Sequence, residues 1–356
     1  MKINHDELKE IIGIAYKTKT PLFIWGTTGI GKSDSVKKSA IEIAKDENLE
    51  FSETNTENGK FGFIDIRISQ LEPSDLRGLP TINGERTKWL IPNWLPQNPD
   101  SKGILFFDEL NLSPPSIQAT AYQLILDRRL GDYRLPNGWV IVSAGNRVED
   151  KCNVFEMSSA LCNRFIHTDL MIPDKDSWLK WALENEIDNR IIAFLQFKPS
   201  VLFNFDSKNK DKAFPTPRSW AYCSRLIKDK DVEKYKDTIN ILVASAVGEA
   251  TATEFMAFLR LQNKINLKEL LKNPKEVAKI KEIDLKYILL GTIAEYYRKD
   301  KALLEKSFEL CDYLEPEFAV LLLRFLKGVN QAHFSKTIVA NDKGKELLNK
   351  YADILN

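Results

Sequence analysis

Gly26-Thr27-Thr28-Gly29-Ile30-Gly31-Lys32-Ser33 constrains this chain more than any other stretch, because it lies between the apolar run Leu22 to Trp25 and a helix-compatible segment from Ser33 to Ala44. A short apolar run bounded by Pro21 and a glycine reads as a buried strand. Strand, glycine-rich loop and helix in that order aim successive backbone N–H groups and the positive end of a helix at one point, which is how phosphate is held. On this reading Gly26, Thr27, Thr28, Gly29, Ile30 and Gly31 form the cradle, Lys32 reaches the β- and γ-phosphates, and the Ser33 hydroxyl ligates Mg²⁺. A glycine turn with a solvated lysine is the bland alternative, and it leaves the flanking strand and helix unexplained.

The same run opens an alternation. Five β-rich runs, Leu22 to Trp25, Phe63 to Ile68, Ile104 to Phe107, Val140 to Ser143 and Phe165 to Ile172, are separated by helix-length segments. Buried parallel strands joined by crossover helices have this pattern, so the chain is predicted to be α/β with a five-stranded parallel sheet. Ile104 to Phe107 runs directly into Asp108 and Glu109, and Val140 to Ser143 runs into Ala144-Gly145-Asn146. Open α/β sheets bind ligands at strand C-termini. Asp108 is therefore expected in the magnesium shell, Glu109 beside an attacking water and Asn146 near the γ-phosphate. Without the upstream loop, the two acids would more often be a solvated turn and Asn146 a turn residue.

After Pro173 the texture becomes helical, with amphipathic segments at Trp178 to Asn185, Tyr235 to Val247, Thr253 to Leu261 and Phe318 to Phe325. Polar stretches at Ser52 to Lys60 and Asn204 to Lys212 read as loops. Leu79 to Leu90 reads as a hairpin whose Asn83-Gly84 pair supplies two positive-φ residues for a tight turn, an insertion within about residues 70–100. Gly131 to Gly138, with Asn137-Gly138, reads as a second turn. Lys264, Lys268, Lys272 and Lys275 have the spacing of a solvated helix face.

Composition removes whole classes of function. Fifty-one Lys+Arg against fifty Asp+Glu give a net charge of +1, so the bulk charge argues against nucleic acid or an anionic membrane as partner. The start MKINHDELKE has no apolar targeting core, and runs such as Phe318 to Leu323 are far shorter than a membrane span. Cys152, Cys162, Cys223 and Cys311 show no C-x-x-C pairing, so reduced thiols, a cytoplasmic location and no structural metal or disulfide are expected.

Combined with Leu161-Cys162-Asn163-Arg164-Phe165, the loop at 26–33 (Walker A), the strand ending in Asp108-Glu109 (Walker B) and Asn146 resemble the AAA+ ATPases. Phe214-Pro215-Thr216-Pro217-Arg218-Ser219-Trp220 and the intervening hairpin narrow the resemblance to the MoxR-like branch, over roughly residues 20–262. The resemblance implies a P-loop NTPase module at 1–172 and an all-α lid at 173–262; beyond its reach, residues 263–356 read from their own helical pattern as a C-terminal extension that lengthens the lid or forms an adaptor-binding surface. The resemblance also implies ATP and Mg²⁺ as ligands, hydrolysis of ATP to ADP and phosphate, and a ring, commonly a homo-hexamer, with nucleotide between subunits. Arg164 then looks like the arginine finger and Arg218 like sensor 2, acting in its own subunit or across the interface. Arg128, Arg129 and Arg147 compete for the interface role. The hairpin could face the ring pore with Trp89 and Trp94 as substrate contacts, or be a packed flap, and the Gly131 to Gly138 turn could lie near the pore. A protein client, or a von Willebrand factor A domain partner by analogy, is implied.

Other readings compete. A nucleic-acid motor meets the neutral charge, and a GTP-driven restriction-type subunit lacks a visible Asn-Lys-x-Asp motif. A nucleotide-gated scaffold with negligible turnover has no reason to keep both Glu109 and Asn146. A small-molecule kinase would need an acceptor site that the helical half does not display.

Overall fold

The computed structural model describes residues 1–54, 59–147, 150, 155–206, 211–232 and 234–355. Cys152 and the middle of each polar stretch, 55–58 and 207–210, lie outside the described residues. The chain divides into two compact units, Met1–Pro173 and Asp174–Asn356.

The first unit is α/β. Its strands are β1 (Lys2–Ile3), β2 (Leu22–Trp25), β3 (Glu50–Ser52), β4 (Lys60–Arg67), β5 (Leu79–Asn83), β6 (Arg86–Leu90), β7 (Lys102–Asp108), β8 (Arg129–Leu130), β9 (Tyr133–Arg134), β10 (Gly138–Gly145) and β11 (Ile166–Leu170). Its helices are α1 (His5–Thr18), α2 (Lys32–Asp46), α3 (Pro73–Arg77), α4 (Pro115–Asp127) and α5 (Ser159–Cys162). The main sheet has seven strands in the order β1-β11-β2-β10-β7-β4-β3, and every pairing is parallel. The five-strand expectation is thus corrected to seven. The two added strands are the edges β1 and β3, only two and three residues long, too short to show any hydrophobic period; they form because an uncovered edge offers unpaired N–H and C=O groups.

Alternation along the strands divides the apolar residues between two faces. Phe23, Leu105, Phe107 and Ile141 share a buried core with Ile117, Ala121, Leu124 and Ile125 of α4. Leu22, Ile24, Ile104, Phe106, Val140 and Val142 alternate with them and are also buried, and α1 and α2 pack against the sheet. The Asn4 side chain accepts from the Glu7 N–H while the Glu7 carboxylate accepts from the Asn4 N–H, a reciprocal cap that starts α1.

The hairpin forms as β5 and β6, with Asn83 paired to Arg86. Its turn is one residue later than expected. Gly84 and Glu85 are the central pair, and Gly84 alone of the four turn residues takes a positive φ, +63°. One positive-φ residue in the first central position satisfies a two-residue hairpin. The second turn also shifts: Gly131 (φ +56°) makes the bend between β8 and β9, whereas Gly138 opens β10.

The second unit is helical: α6 (Lys175–Glu184), α7 (Asn189–Phe197), α8 (Pro217–Ile227), α9 (Lys236–Val247), α10 (Glu249–Arg260), α11 (Leu267–Lys272), α12 (Ile283–Lys299), α13 (Leu303–Leu310), α14 (Pro316–Val329), α15 (Gln331–Ala340) and α16 (Asp342–Leu355). One core joins residues from Trp178 to Tyr351, and the four lysines 264, 268, 272 and 275 are exposed. No helix among the described residues is long and apolar enough to cross a membrane.

A buried ion pair pins α7 to α8. Arg190 donates through Nε to Asp188 Oδ1 at 2.9 Å and through Nη2 to Asp188 Oδ2 at 2.6 Å, and Nη2 also donates to the Ile227 carbonyl at 2.9 Å. The two side chains are 9% and 0% exposed. Burial and the Asp188 charge raise the neighbouring Glu295 carboxyl above its ordinary range. Removing one partner leaves the other charge uncompensated, so Arg190→Ala is expected to destabilise the helical unit by about 3–5 kcal/mol. Urea denaturation followed by circular dichroism measures this, and a loss below about 1 kcal/mol would place the pair among weak surface contacts.

Candidate active site

The loop 26–31 bends from the end of β2 into α2, and two positive-φ glycines make this possible, Gly29 (+77°) and Gly31 (+97°). Gly31 is the residue before α2, so Lys32 and Ser33 occupy its first turn, where free N–H groups and the helix dipole favour an anion. Lys32 is buried there. Its ammonium donates to the Gly26 carbonyl at 2.6 Å, the Thr27 carbonyl at 2.9 Å and Asn146 Oδ1 at 2.9 Å. Ser33 Oγ donates to Asp108 Oδ2 at 2.8 Å. Thr27 Oγ1 is buried and has no hydrogen-bond partner among the described residues.

Parallel register brings these groups together. β10 lies between β2 and β7, with Gly145 level with Trp25 and Ser143 level with Phe107. Three adjacent strands therefore end side by side, delivering the loop, the acids and Asn146 to one edge. Glu109 leaves β7 with φ +59°, an uncommon conformation for a residue with a Cβ. Its N–H donates to Asp108 Oδ1 at 3.0 Å, and its Oε2 accepts from Ser69 Oγ at 3.0 Å. On the neighbouring strand, partial loss of hydration and the Asp108 charge raise Asp65 to about 6.

The arginines are placed differently. Arg164 follows α5; its guanidinium lies over the Tyr122 ring of α4, 4.1 Å from the centroid, and Nη1 donates to the Ala160 carbonyl. Its Nε is buried and has no hydrogen-bond partner among the described residues. Arg128 is used inside the chain, Nη2 donating to the carbonyls of Pro136 at 2.8 Å and Trp139 at 2.9 Å. Arg147 is paired with Asp169, its Nε donating at 2.9 Å. Arg129 is exposed on β8. Arg218 is exposed in the first turn of α8 in the helical unit, an end where the helix dipole disfavours a cation, so helix stability does not explain it.

The two tryptophans of the insertion separate. Trp94 packs against the core and donates from Nε1 to the Asp75 carbonyl at 3.1 Å, as a packed flap requires. Trp89 is on the hairpin with exposed Leu79, Ile82 and Leu90.

Several supporting residues carry no sequence motif. His5 Nε2–H donates to the Ile30 carbonyl of the loop at 2.9 Å, and burial pulls its imidazole below the ordinary value, keeping it neutral. His167 accepts at Nδ1 from Trp25 Nε1 at 3.0 Å and donates from Nε2 to the Cys162 carbonyl at 2.8 Å, tying the strand before the loop to the turn before Arg164. Ser69 and Asn111, which clasps the Asn146 main chain, complete the set. Only their positions just beyond strand ends could have flagged the last two.

A cation at a helix N-terminus, a hydroxyl on a carboxylate, a second carboxylate and a neutral amide form an arrangement suited to binding a polyphosphate with a divalent cation and activating water beside it. No family model matches the chain, and no curated protein matches it. Among solved structures it is similar to a candidate ATPase from Cytophaga hutchinsonii, with 16% identity over 88% of this chain and 78% of that one and a TM-score of 0.36. It is also similar to NtrX from Brucella abortus, with 14% identity over 91% and 68% and a TM-score of 0.38, and to a RuvB variant from Thermotoga maritima, with 14% identity over 84% and 81% and a TM-score of 0.34.

Proposed function

We propose that this chain is a MoxR-like AAA+ ATPase whose subunits assemble into a ring, commonly of six copies, and hydrolyse ATP to ADP and phosphate to remodel or activate a protein partner. The observation that carries this reading is the meeting of Lys32, Ser33, Asp108, Glu109 and Asn146 at adjacent strand ends. The residues fit a triphosphate: Thr27 Oγ1 is orphaned, and the carbonyl contacts of Lys32 are ones that phosphate oxygens can replace. Ser33 and Asp108 would hold Mg²⁺, which when bound neutralises phosphate charge.

Each residue then has one task. Lys32 and the loop N–H groups grip the phosphates. Glu109 orients the attacking water and takes its proton. Asn146 hydrogen-bonds the water or the γ-phosphate without adding charge. Arg164 is lent to the nucleotide of the neighbouring subunit, where a guanidinium offsets charge growing in the transition state. Arg218 reports nucleotide state to the helices, with 173–262 acting as lid and 263–356 as its extension. A protein client, or a von Willebrand factor A domain, receives the motion.

Turnover as a function of protein concentration tests the reading. ATPase per subunit is expected to rise over the range in which sedimentation shows rings to assemble. Full activity in a monomer overturns the shared site, and turnover of GTP in place of ATP favours the restriction-type subunit.

A further inference from the structure

Asn111 stands in the turn just beyond Glu109 and is 2% exposed. Its side chain crosses to the end of β10, where Nδ2 donates to the Asn146 carbonyl at 2.7 Å and Oδ1 accepts from the Asn146 N–H at 3.2 Å. Both main-chain polar groups of one buried residue are thereby satisfied by one carboxamide. Aspartate could not donate, and leucine could do neither, leaving buried backbone groups unpaired.

The neighbouring residue is shaped to admit this clasp. A Cβ at Gly145 would lie 2.4 Å from Asn111 Oδ1 and 2.8 Å from its Cγ, closer than atoms can approach. Any side chain at 145 would expel the amide. Beyond the clasp, the Asn146 side chain meets the Lys32 ammonium at 2.9 Å. Asn111 thus lies one step behind the contact between the phosphate lysine and the neutral amide, and it also links the strand end that carries the acids to the one that carries Asn146.

We propose that Asn111 is a positioning residue: it holds the Asn146 main chain and so aims the Asn146 carboxamide at Lys32 and the nucleotide phosphates. This rests on the ATP-hydrolase reading and deepens it. Misplacing a catalytic group by about 1 Å can cost about 10²-fold in rate, which sets the scale of the effect.

The test compares Asn111→Ala and Asn111→Asp in the wild-type and Asn146→Ala backgrounds, using the full chain. Asn111→Ala is expected to lower kcat by about 10–100-fold with ATP affinity unchanged. In the Asn146→Ala background it should lower kcat by less than about twofold, because no side chain remains to be aimed. Asn111→Asp keeps the volume and so leaves no cavity, which lets it stand in if the alanine variant does not fold; it sets a carboxylate oxygen against the Asn146 carbonyl and is expected to lower kcat at least as much. An equal loss in both backgrounds overturns the proposal, since Asn111 would then act only on the fold. A second measurement needs no turnover. The side-chain amide resonances of Asn146, followed by ¹⁵N NMR of the nucleotide-free chain, should shift in either Asn111 variant, and unchanged resonances overturn the aiming role. A wild-type chain without ATPase activity overturns the hydrolase reading alone, with the resonance test still decisive for Asn111.

Discussion

Glu109→Gln is expected to lower ATP turnover by about 10²–10⁴-fold, the contribution typical of a positioned general base, while nucleotide affinity is expected to stay within about threefold because uniform binding is untouched. The substitution is isosteric, and the amide oxygen can still accept from Ser69, whose hydroxyl is 3.0 Å from Glu109 Oε2. Lys32 keeps its place at the loop, and Ser33 keeps its 2.8 Å contact with Asp108. Calorimetry with ATP and steady-state phosphate release measure the two quantities separately. Loss of both together would show that Glu109 supports the loop instead of the water. Loss of neither would assign catalysis elsewhere, with Asp65 next to be tested. On the proposed reading, a stalled variant that still binds ATP is expected to retain a client, so the proteins that co-purify with it become the route to the partner.

Arg164→Ala is expected to lower turnover by about 10³–10⁵-fold, the range of an arginine finger, and mixing it with Glu109→Gln is expected to restore activity. On the proposed shared-site reading, a site needs its own Glu109 and its neighbour's Arg164. In a ring with heterologous contacts, random equal mixing makes about one site in four competent, so the mixture recovers roughly a quarter of wild-type turnover. Neither variant alone does so. The placement of Arg164 supports this expectation. It takes no part in the contacts of Lys32, Ser33 and Asp108 in its own chain, and the Tyr122 ring beneath it holds the guanidinium in one orientation. A mixture as inactive as its components would mean that Arg164 serves its own subunit or serves no site, and Arg129, exposed on β8, would become the candidate.

Much of the candidate site was legible in consecutive residues. A strand, a loop with glycines at 29 and 31 and a helix are local structures, so their letters announce both geometry and chemistry. The acids and Asn146 could be read because each follows directly on an apolar strand. The edge strands β1 and β3 could not, since two or three residues carry no period. The hairpin was readable, but its turn was placed one residue early, because Asn83 and Gly84 are both good turn residues and cross-strand pairing chose between them.

The residues that support the site had no local signature at all. Asn111 touches Asn146 across 35 positions, Ser69 touches Glu109 across 40 and Trp25 touches His167 across 142. Arg128 and Arg147 stood as competitors to Arg164 in the sequence, where the Pro136 and Trp139 carbonyls that hold the one and the Asp169 carboxylate that holds the other cannot be seen. Backbone preference and hydrophobic period are properties of neighbours in the chain, so they specify strands, helices and the phosphate loop. Strand order and parallel register are properties of the folded sheet, and they alone determine which distant side chain stands within 3 Å of which strand end.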